Sequence, residues 1–350
     1  MDSKKPGKSI TIYDIASEAG VSPATVSRVM TKSAGVSESK RRAVEHLIQK
    51  YEFRPNALAK SLSNTHTHIL GLLVADIRNP YFAALAVECE KAANRRGYTV
   101  MLCNVLNDNA LEDSNLEKLY EQRVDAIIQA GCRVDDLVTD TQYAAHVNRV
   151  SRTIPFITTG KLDGTDCYCL NIDDTKGMKI IIDYLVSLGH RRIAMIGGEN
   201  RKESTYEKWR QYIYLMGKND LVFRDDYLQE GSYSEKSGYR CMNRLLDLDI
   251  VPTAVIAVND FTAVGALKAA AERGVRIPQD ISVISFDNTF LSEISAPKLT
   301  TIDYNYKLFG EKLVDTAIGA VEHRDIPKKQ LITPSLVVRD SCADVNQKKE

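Results

Sequence analysis

The chain has 350 residues, 44% hydrophobic and 26% charged, with 46 Lys and Arg balancing 46 Asp and Glu. That composition belongs to a folded globular protein of two or three units and excludes collagen-like, mucin-like and mainly disordered chains. The apolar runs, such as 69–75 and 254–258, fall far short of the ~18 residues of a membrane helix, and the first residues, basic with no apolar stretch behind them, predict no secretory signal.

Seven scattered cysteines without a Cys-x-x-Cys fit reduced thiols in a cytoplasmic protein. Charge is unevenly placed. Residues 1–68 carry eleven Lys and Arg against six Asp and Glu, so the remainder is acidic by the same excess of five. A basic head on an acidic body predicts that the head meets a polyanion.

Thr11-Ile12-Tyr13-Asp14 starts a helix, with Thr11 as cap and Asp14 near the positive end of the helix dipole. Ile12, Ile15, Ala16 and Ala19 form its apolar stripe, and Gly20 ends it. Ser22 caps a second helix with Pro23 in its first position, and Val26 and Val29 give it a buried side. Two short helices across a Gly-Val-Ser turn predict a helix-turn-helix. In that motif the start of the second helix enters the DNA major groove. The outward residues there are Pro23, Ala24, Thr25, Ser27 and Arg28. Arg28 suits guanine, Ala24 a thymine methyl, and Thr25 and Ser27 base or phosphate contacts. A third helix, from the Ser37 cap to Tyr51, closes the head with Val44, Leu47 and Ile48, and Lys40, Arg41 and Arg42 near its start are candidate phosphate contacts.

The run from Thr11 to Ala16, followed by Gly20-Val21-Ser22-Pro23-Ala24-Thr25-Val26-Ser27-Arg28-Val29, resembles the headpiece of the lactose-repressor (LacI/GalR) family of bacterial transcription regulators. Arg54-Pro55-Asn56-Ala57-Leu58-Ala59-Lys60-Ser61-Leu62 resembles that family's hinge. The resemblance adds Thr11, Tyr13 and Ser22 to the DNA-facing set. It also implies that hinge residues Asn56, Ala59, Lys60 and Leu62 meet the minor groove, Leu62 as a wedge between base pairs. Seven hinge residues are too few for an isolated helix, so ordering is expected only on a partner. His66 and His68 have no third ligand nearby, and no metal site is expected.

From Ile69 onward strands alternate with helices. Strands are predicted at 69–74, 99–103, 126–129, 156–159, 170–172, 192–196, 254–258, 281–286 and 331–338, and helices at 81–96, 110–122, 176–188, 203–217, 235–246, 260–273 and 306–321. This alternation predicts two doubly wound parallel-sheet subdomains with a ligand at the carboxyl ends of the strands. The fold expected is an all-α helix-turn-helix headpiece (1–54), a hinge and linker (55–68), and a periplasmic-binding-protein-like α/β core (69–342) before a tail (343–350). Within the core the N-subdomain is expected at about 69–169 and 304–333, and the C-subdomain at about 170–303 and 334–342.

By its match to the family, the effector site draws on Tyr81, Phe82, Lys161, Lys208, Arg210, Tyr233, Asn259 and Asp287. Lys161 and Lys208 stand where the family commonly has arginine, which suggests an acidic sugar or phosphosugar. No Gly-x-Gly-x-x-Gly occurs, Gly7-Lys8-Ser9 lacks the earlier glycine of a phosphate loop, and no histidine–carboxylate pair stands at metal spacing. The reading is therefore a non-enzymatic regulator, a repressor without cofactor, which binds a near-palindromic operator as a homodimer under control of a sugar-like effector. The tail lacks a leucine heptad, so a coiled-coil tetramer is not expected. A sugar-uptake receptor and a cytoplasmic sugar or nucleotide enzyme remain as alternatives.

Overall fold

A computed structural model of the chain describes residues 10–30, 33–51, 53 and 66–345. It divides into two compact units, residues 1–67 and 68–350.

In the first unit, α1 (Ile12–Glu18), α2 (Pro23–Met30) and α3 (Glu38–Lys50) enclose a small core of Ile15, Ala16, Val26, Val29, Val44 and Leu47. The capping signals act as their chemistry dictates. Thr11 Oγ1 accepts from the Asp14 amide at 3.3 Å while the Thr11 amide donates to Asp14 Oδ2 at 2.8 Å, which closes a capping box. Gly20 turns the chain at φ +61°, and Ser22 Oγ accepts from the Thr25 amide at 3.2 Å to start α2. Glu18 on α1 takes hydrogen bonds from Lys50 and Tyr51, both at 2.8 Å, tying α3 to α1. The hinge residues Asn56, Ala59, Lys60 and Leu62 lie outside the described residues.

The second unit holds two six-stranded sheets. The first runs β11-β5-β4-β3-β1-β2 and is wholly parallel, from β1 (Ile69–Val74), β2 (Thr99–Asn104), β3 (Ala126–Ala130), β4 (Phe156–Thr158), β5 (Tyr168–Ile172) and β11 (Lys329–Ile332). The second runs β12-β10-β9-β8-β6-β7, from β6 (Ile193–Ile196), β7 (Leu228–Gln229), β8 (Ala254–Ala257), β9 (Ser282–Asp287), β10 (Thr300–Asp303) and β12 (Ser335–Val337). Only its β10–β12 pair is antiparallel. Separate apolar clusters line both faces of each sheet, so the central strands are apolar throughout rather than alternating.

The helices α4 (Pro80–Arg95), α5 (Asn109–Glu121), α6 (Thr141–Ser151) and α12 (Tyr306–Val321) serve the first sheet. The second has α7 (Asp174–Ser187), α8 (Glu203–Lys218), α9 (Glu235–Leu246), α10 (Asp260–Glu272) and the short α11 (Phe290–Ile294). None of the described helices is long and apolar enough to cross a membrane.

The chain passes between the sheets three times. The first crossing falls after Ile172, not after Cys169, because all of β5 pairs with β4 and β11. The expected single strand over 331–338 is two strands, one in each sheet. Pro334 lies between them and cannot supply the ladder N–H, so the strand ends there and the chain changes sheets. Among the described residues, four of the named strands and helices were unread in the sequence: α6, capped by Asp140, the two-residue β7, the five-residue α11, and β10, whose Thr-Thr-Ile-Asp is too polar to stand out. The core also starts one residue earlier than expected, since the His68 amide donates to Asp125 at 2.8 Å.

Candidate nucleic-acid interface and ligand cleft

Helix packing sorts the residues of α2. Val26 and Val29 turn inward, Ala24 and Arg28 are exposed, and Pro23, Thr25 and Ser27 are half-buried beside them. Ser22 and Thr25 hydroxyls lie 3.0 Å apart, so both take part in the cap as well as facing outward. Tyr13 is 71% exposed. Thr11 is engaged by Asp14, its hydroxyl donating to Oδ2 at 2.6 Å. On α3, Arg42 pairs with Glu38 at 3.2 Å and Arg41 donates to the Ser33 carbonyl at 3.1 Å, while Lys40 stays exposed. The unit thus presents one short helix with a small apolar residue and a cation one turn apart on its outer face, the reach a groove-reading helix needs.

Within the second unit, a cavity of about 980 Å³ opens at the carboxyl ends of the strands, lined from both sheets. Its size suits a small ligand. Asn79 caps α4 by accepting from the Tyr81 amide at 3.1 Å, which aims Tyr81 and Phe82 into the cavity from the first turn. The two rings meet edge to face at 4.9 Å, and Tyr81 also meets Tyr304 at 6.1 Å. Phe82 lies against Gly131, where a Cβ would come within 2.7 Å of the ring, so glycine is needed for that contact.

Tyr233, in the loop before α9, reaches the cavity and its hydroxyl lies 2.7 Å from that of Thr205. Asn259 lines the wall, but its side chain is engaged. It caps α10 by accepting from Thr262 at 2.8 Å and donates to the Tyr233 carbonyl at 3.2 Å.

Asp287 ends β9 with φ +105° and is 5% exposed. Among the described residues nothing donates a hydrogen bond to its carboxylate. Burial, and then the nearby Asp260, push its pKa well up, and Lys208 pulls it back only in part. Asp260 itself is fully buried and answered by Ser285, Thr289 and Thr301.

Lys208 is buried on α8. Its ammonium donates to Asp174 at 2.8 Å and lies 5.0 Å over the Phe286 ring, while Asp174 also accepts from the Tyr304 hydroxyl at 2.9 Å.

Arg210 and Lys161 do not line the cavity. Two residues beyond Lys208, Arg210 lies about 200° further round the helix, where it is exposed and pairs with Glu207. At β4 the inward place is taken by Gly160, whose Cβ would fall 1.9 Å from the Val134 carbonyl, and Lys161 turns out to pair with Asp163 at 3.0 Å. Both lysines are therefore charge-matched, and the excess of positive charge expected from the sequence is not present in the cavity.

Residues that the sequence reading passed over close the cleft. After β3 a single 3-10 turn, Cys132–Asp135, delivers Asp135 and Asp136 to its edge. Ser204 donates to Asp135 through its amide at 3.0 Å and its hydroxyl at 2.8 Å. Lys202 reaches Asp136 at 2.6 Å and the Cys132 carbonyl at 3.1 Å, and the Leu137 amide donates to the Arg201 carbonyl at 2.8 Å. These contacts clasp the loop after β3 to the start of α8, across the two sheets. Burial raises Asp135 to about 6, against the lowering effect of the Ser204 hydrogen bonds. The rule that ligands meet the carboxyl ends of strands points to these positions, which follow β3 and β6.

Comparison with known proteins bears on both units. A model described as bacterial regulatory proteins, lacI family, matches residues 11–56, and one of a periplasmic binding protein-like domain matches residues 182–342. The HTH-type transcriptional repressor PurR of Mannheimia succiniciproducens is 32% identical over 340 residues, 96% of this chain and 99% of that protein. Its namesake in Haemophilus influenzae strain PittEE is 32% identical over 343 residues, with the same coverage. The crystal structure of the lac repressor dimer bound to operator and the anti-inducer ONPF has a TM-score of 0.86 at 28% identity, covering 96% of this chain and 100% of that one. These relatives are transcriptional repressors, not enzymes.

Proposed function

The chain belongs to the lacI family of bacterial regulatory proteins, a DNA-binding transcriptional repressor, and from that premise we propose that it holds a near-palindromic operator as a homodimer under the control of a small molecule bound in the cleft of the core. The observation that carries this reading is the pairing of two features in one chain: an outward α2 with Ala24 and Arg28 exposed, and a cavity of about 980 Å³ walled by both sheets. The similarity to a lac repressor dimer on operator supports the dimer and the two half-sites.

In this reading Pro23, Ala24, Thr25, Ser27 and Arg28 read bases or position the helix, with Thr11, Tyr13 and Ser22 at its flanks, and Asn56, Ala59, Lys60 and Leu62 engage the minor groove. The effector is a sugar or sugar derivative held against Tyr81, Phe82 and Tyr233, with Asp287 as a polar anchor. Its binding shifts the two sheets relative to each other and so changes operator affinity. A coupling of about 1–3 kcal/mol would change that affinity roughly 5–150-fold.

Selection from a random duplex pool at near-physiological salt tests the proposal. Enrichment of a two-fold-symmetric site, relaxed by Arg28→Ala, is the expected result. Failure to enrich any site, with or without sugars present, would reject it.

A further inference from the structure

Charge pairing in the cleft restricts what can bind there. Among the described residues four cations line the cavity, and each already meets a carboxylate of the same wall. Arg78 pairs with Asp76 at 2.6 Å, Arg201 with Glu199 at 2.8 Å, Lys202 with Asp136 at 2.6 Å and Lys208 with Asp174 at 2.8 Å. The wall has carboxylates to spare. Among the described residues, lining Asp135, Asp173, Glu203 and Asp287 have no cation within ion-pair distance.

Two of these have other engagements: Asp173 caps α7 through the Lys176 amide, and Asp135 accepts from Ser204. Among the described residues, nothing donates a hydrogen bond to the side chain of Glu203 or Asp287. Asp287 matters most, because it is 95% removed from solvent, faces the cavity and has no hydrogen-bond or ion-pair partner among the described residues. Asp287, Asp135 and Tyr81 all line this one cavity. A buried carboxylate left unanswered is costly, and a wall of carboxylates and aromatic faces suits a cation.

We propose, resting on the effector reading above, that the molecule bound in this cleft carries a protonated amine on a hydroxyl-bearing scaffold, with the ammonium on Asp287 in the field of Asp135 and Glu203. An amine-bearing sugar supplies the donor and the charge that the wall lacks. An acidic sugar supplies neither and would meet no free cation.

Matched triplets test this by titration calorimetry on the full chain. Glucosamine, glucose and glucuronate form one triplet, and the galacto and manno series form two more. In at least one series the amine is expected to bind about 10–100-fold more tightly than its neutral and acidic counterparts. Asp287→Asn should abolish that preference; asparagine keeps the shape and tolerates the left-handed backbone found there. Glu203→Gln, at a half-buried site without hydrogen bonds, should reduce the preference without a risk to folding. The inference is overturned if a neutral sugar or uronate binds as well as its amine, if no amine binds, or if neither variant alters the preference. A neutral or acidic sugar that shifts operator affinity would overturn this inference and leave the regulator reading standing. Only failure to select an operator would remove that reading.

Discussion

In the headpiece the outermost candidate residues stand in solvent on one short helix, whereas in the core the buried cations are answered by carboxylates. Arg28 and Ala24 are exposed over a core of six apolar side chains from three helices. In the core, Lys208 is sealed against Asp174, and Arg133, 5% exposed, sits among Glu112, Asp113 and Asp140. The difference teaches where each unit keeps its energy. Losing an outward side chain of α2 such as Arg28 should cost recognition and leave folding intact. Losing one from the core should cost folding first, because a partner is left charged and dry.

Arg133→Ala is the strongest way to break that contrast. Arg133 Nε donates to Glu112 at 2.8 Å, and Glu112 is fully buried. Burial already pushes the Glu112 carboxyl up, and Arg133 restrains it. Removal should destabilise the core by about 3–5 kcal/mol. Denaturant unfolding of the full chain, followed by the single Trp209 in the core, would measure it. A loss below about 1 kcal/mol, within the range of an exposed pair, would show that the network is not a buried ion pair in solution.

Arg28→Ala should act the other way. About 1–3 kcal/mol of operator discrimination should disappear, with the core's unfolding midpoint unchanged. Binding that weakens equally on every sequence would instead make Arg28 a phosphate contact.

These two residues also show why the units differ in what their sequences disclose. Thr11, Gly20, Ser22 and Pro23 act on neighbours within three or four positions, so a helix, a turn and a second helix can be read directly from their order. The strands of the core are equally legible where burial on both faces makes them continuously apolar, as in β1. The cleft is less so. Tyr81, Tyr233 and Asp287 were found by their match to the family's motifs. Lys161 and Arg210 follow the same logic and point elsewhere, because a neighbouring glycine or a 200° turn of helix decides direction. Asp135 meets Ser204 and Asp136 meets Lys202 across some 70 residues of chain, and no local pattern announces either pairing. Nor could the sequence show that the pocket lysine Lys208 would be matched to Asp174 from another helix.

Gly20→Ala sharpens the comparison at smaller scale. The residue has φ +61° with open space around the missing Cβ, so only backbone strain opposes the change. A loss of about 1 kcal/mol is expected, confined to headpiece unfolding and operator binding. Thermal melting of the core should not move. A shift there of similar size would mean that the two units unfold together.

The smallest effect is a pair of opposite pH slopes. Hydrogen bonds from Lys50 and then Tyr51 hold the exposed Glu18 carboxyl below its usual range. The folded headpiece therefore gives up that proton more readily than the unfolded one. The contribution is present above the ordinary glutamate pKa and is lost as pH falls through the lowered value. Asp135 runs in reverse. With its pKa raised to about 6 by burial, the folded core keeps a proton that the unfolded chain releases near the ordinary value of ~3.9. Its contribution is full below that value and is lost as pH rises through about 6. Asp135→Asn cannot titrate and should hold the protonated shape. The melting temperature of the wild-type core should therefore fall relative to the variant between about pH 4 and 6, with the gap constant above about pH 7. Glu18→Gln should produce the opposite trend in the headpiece. A gap at Asp135 that does not change with pH would mean that its carboxylate stays ionised beneath the clasp, with the Ser204 hydrogen bonds and the lysine charges outweighing burial.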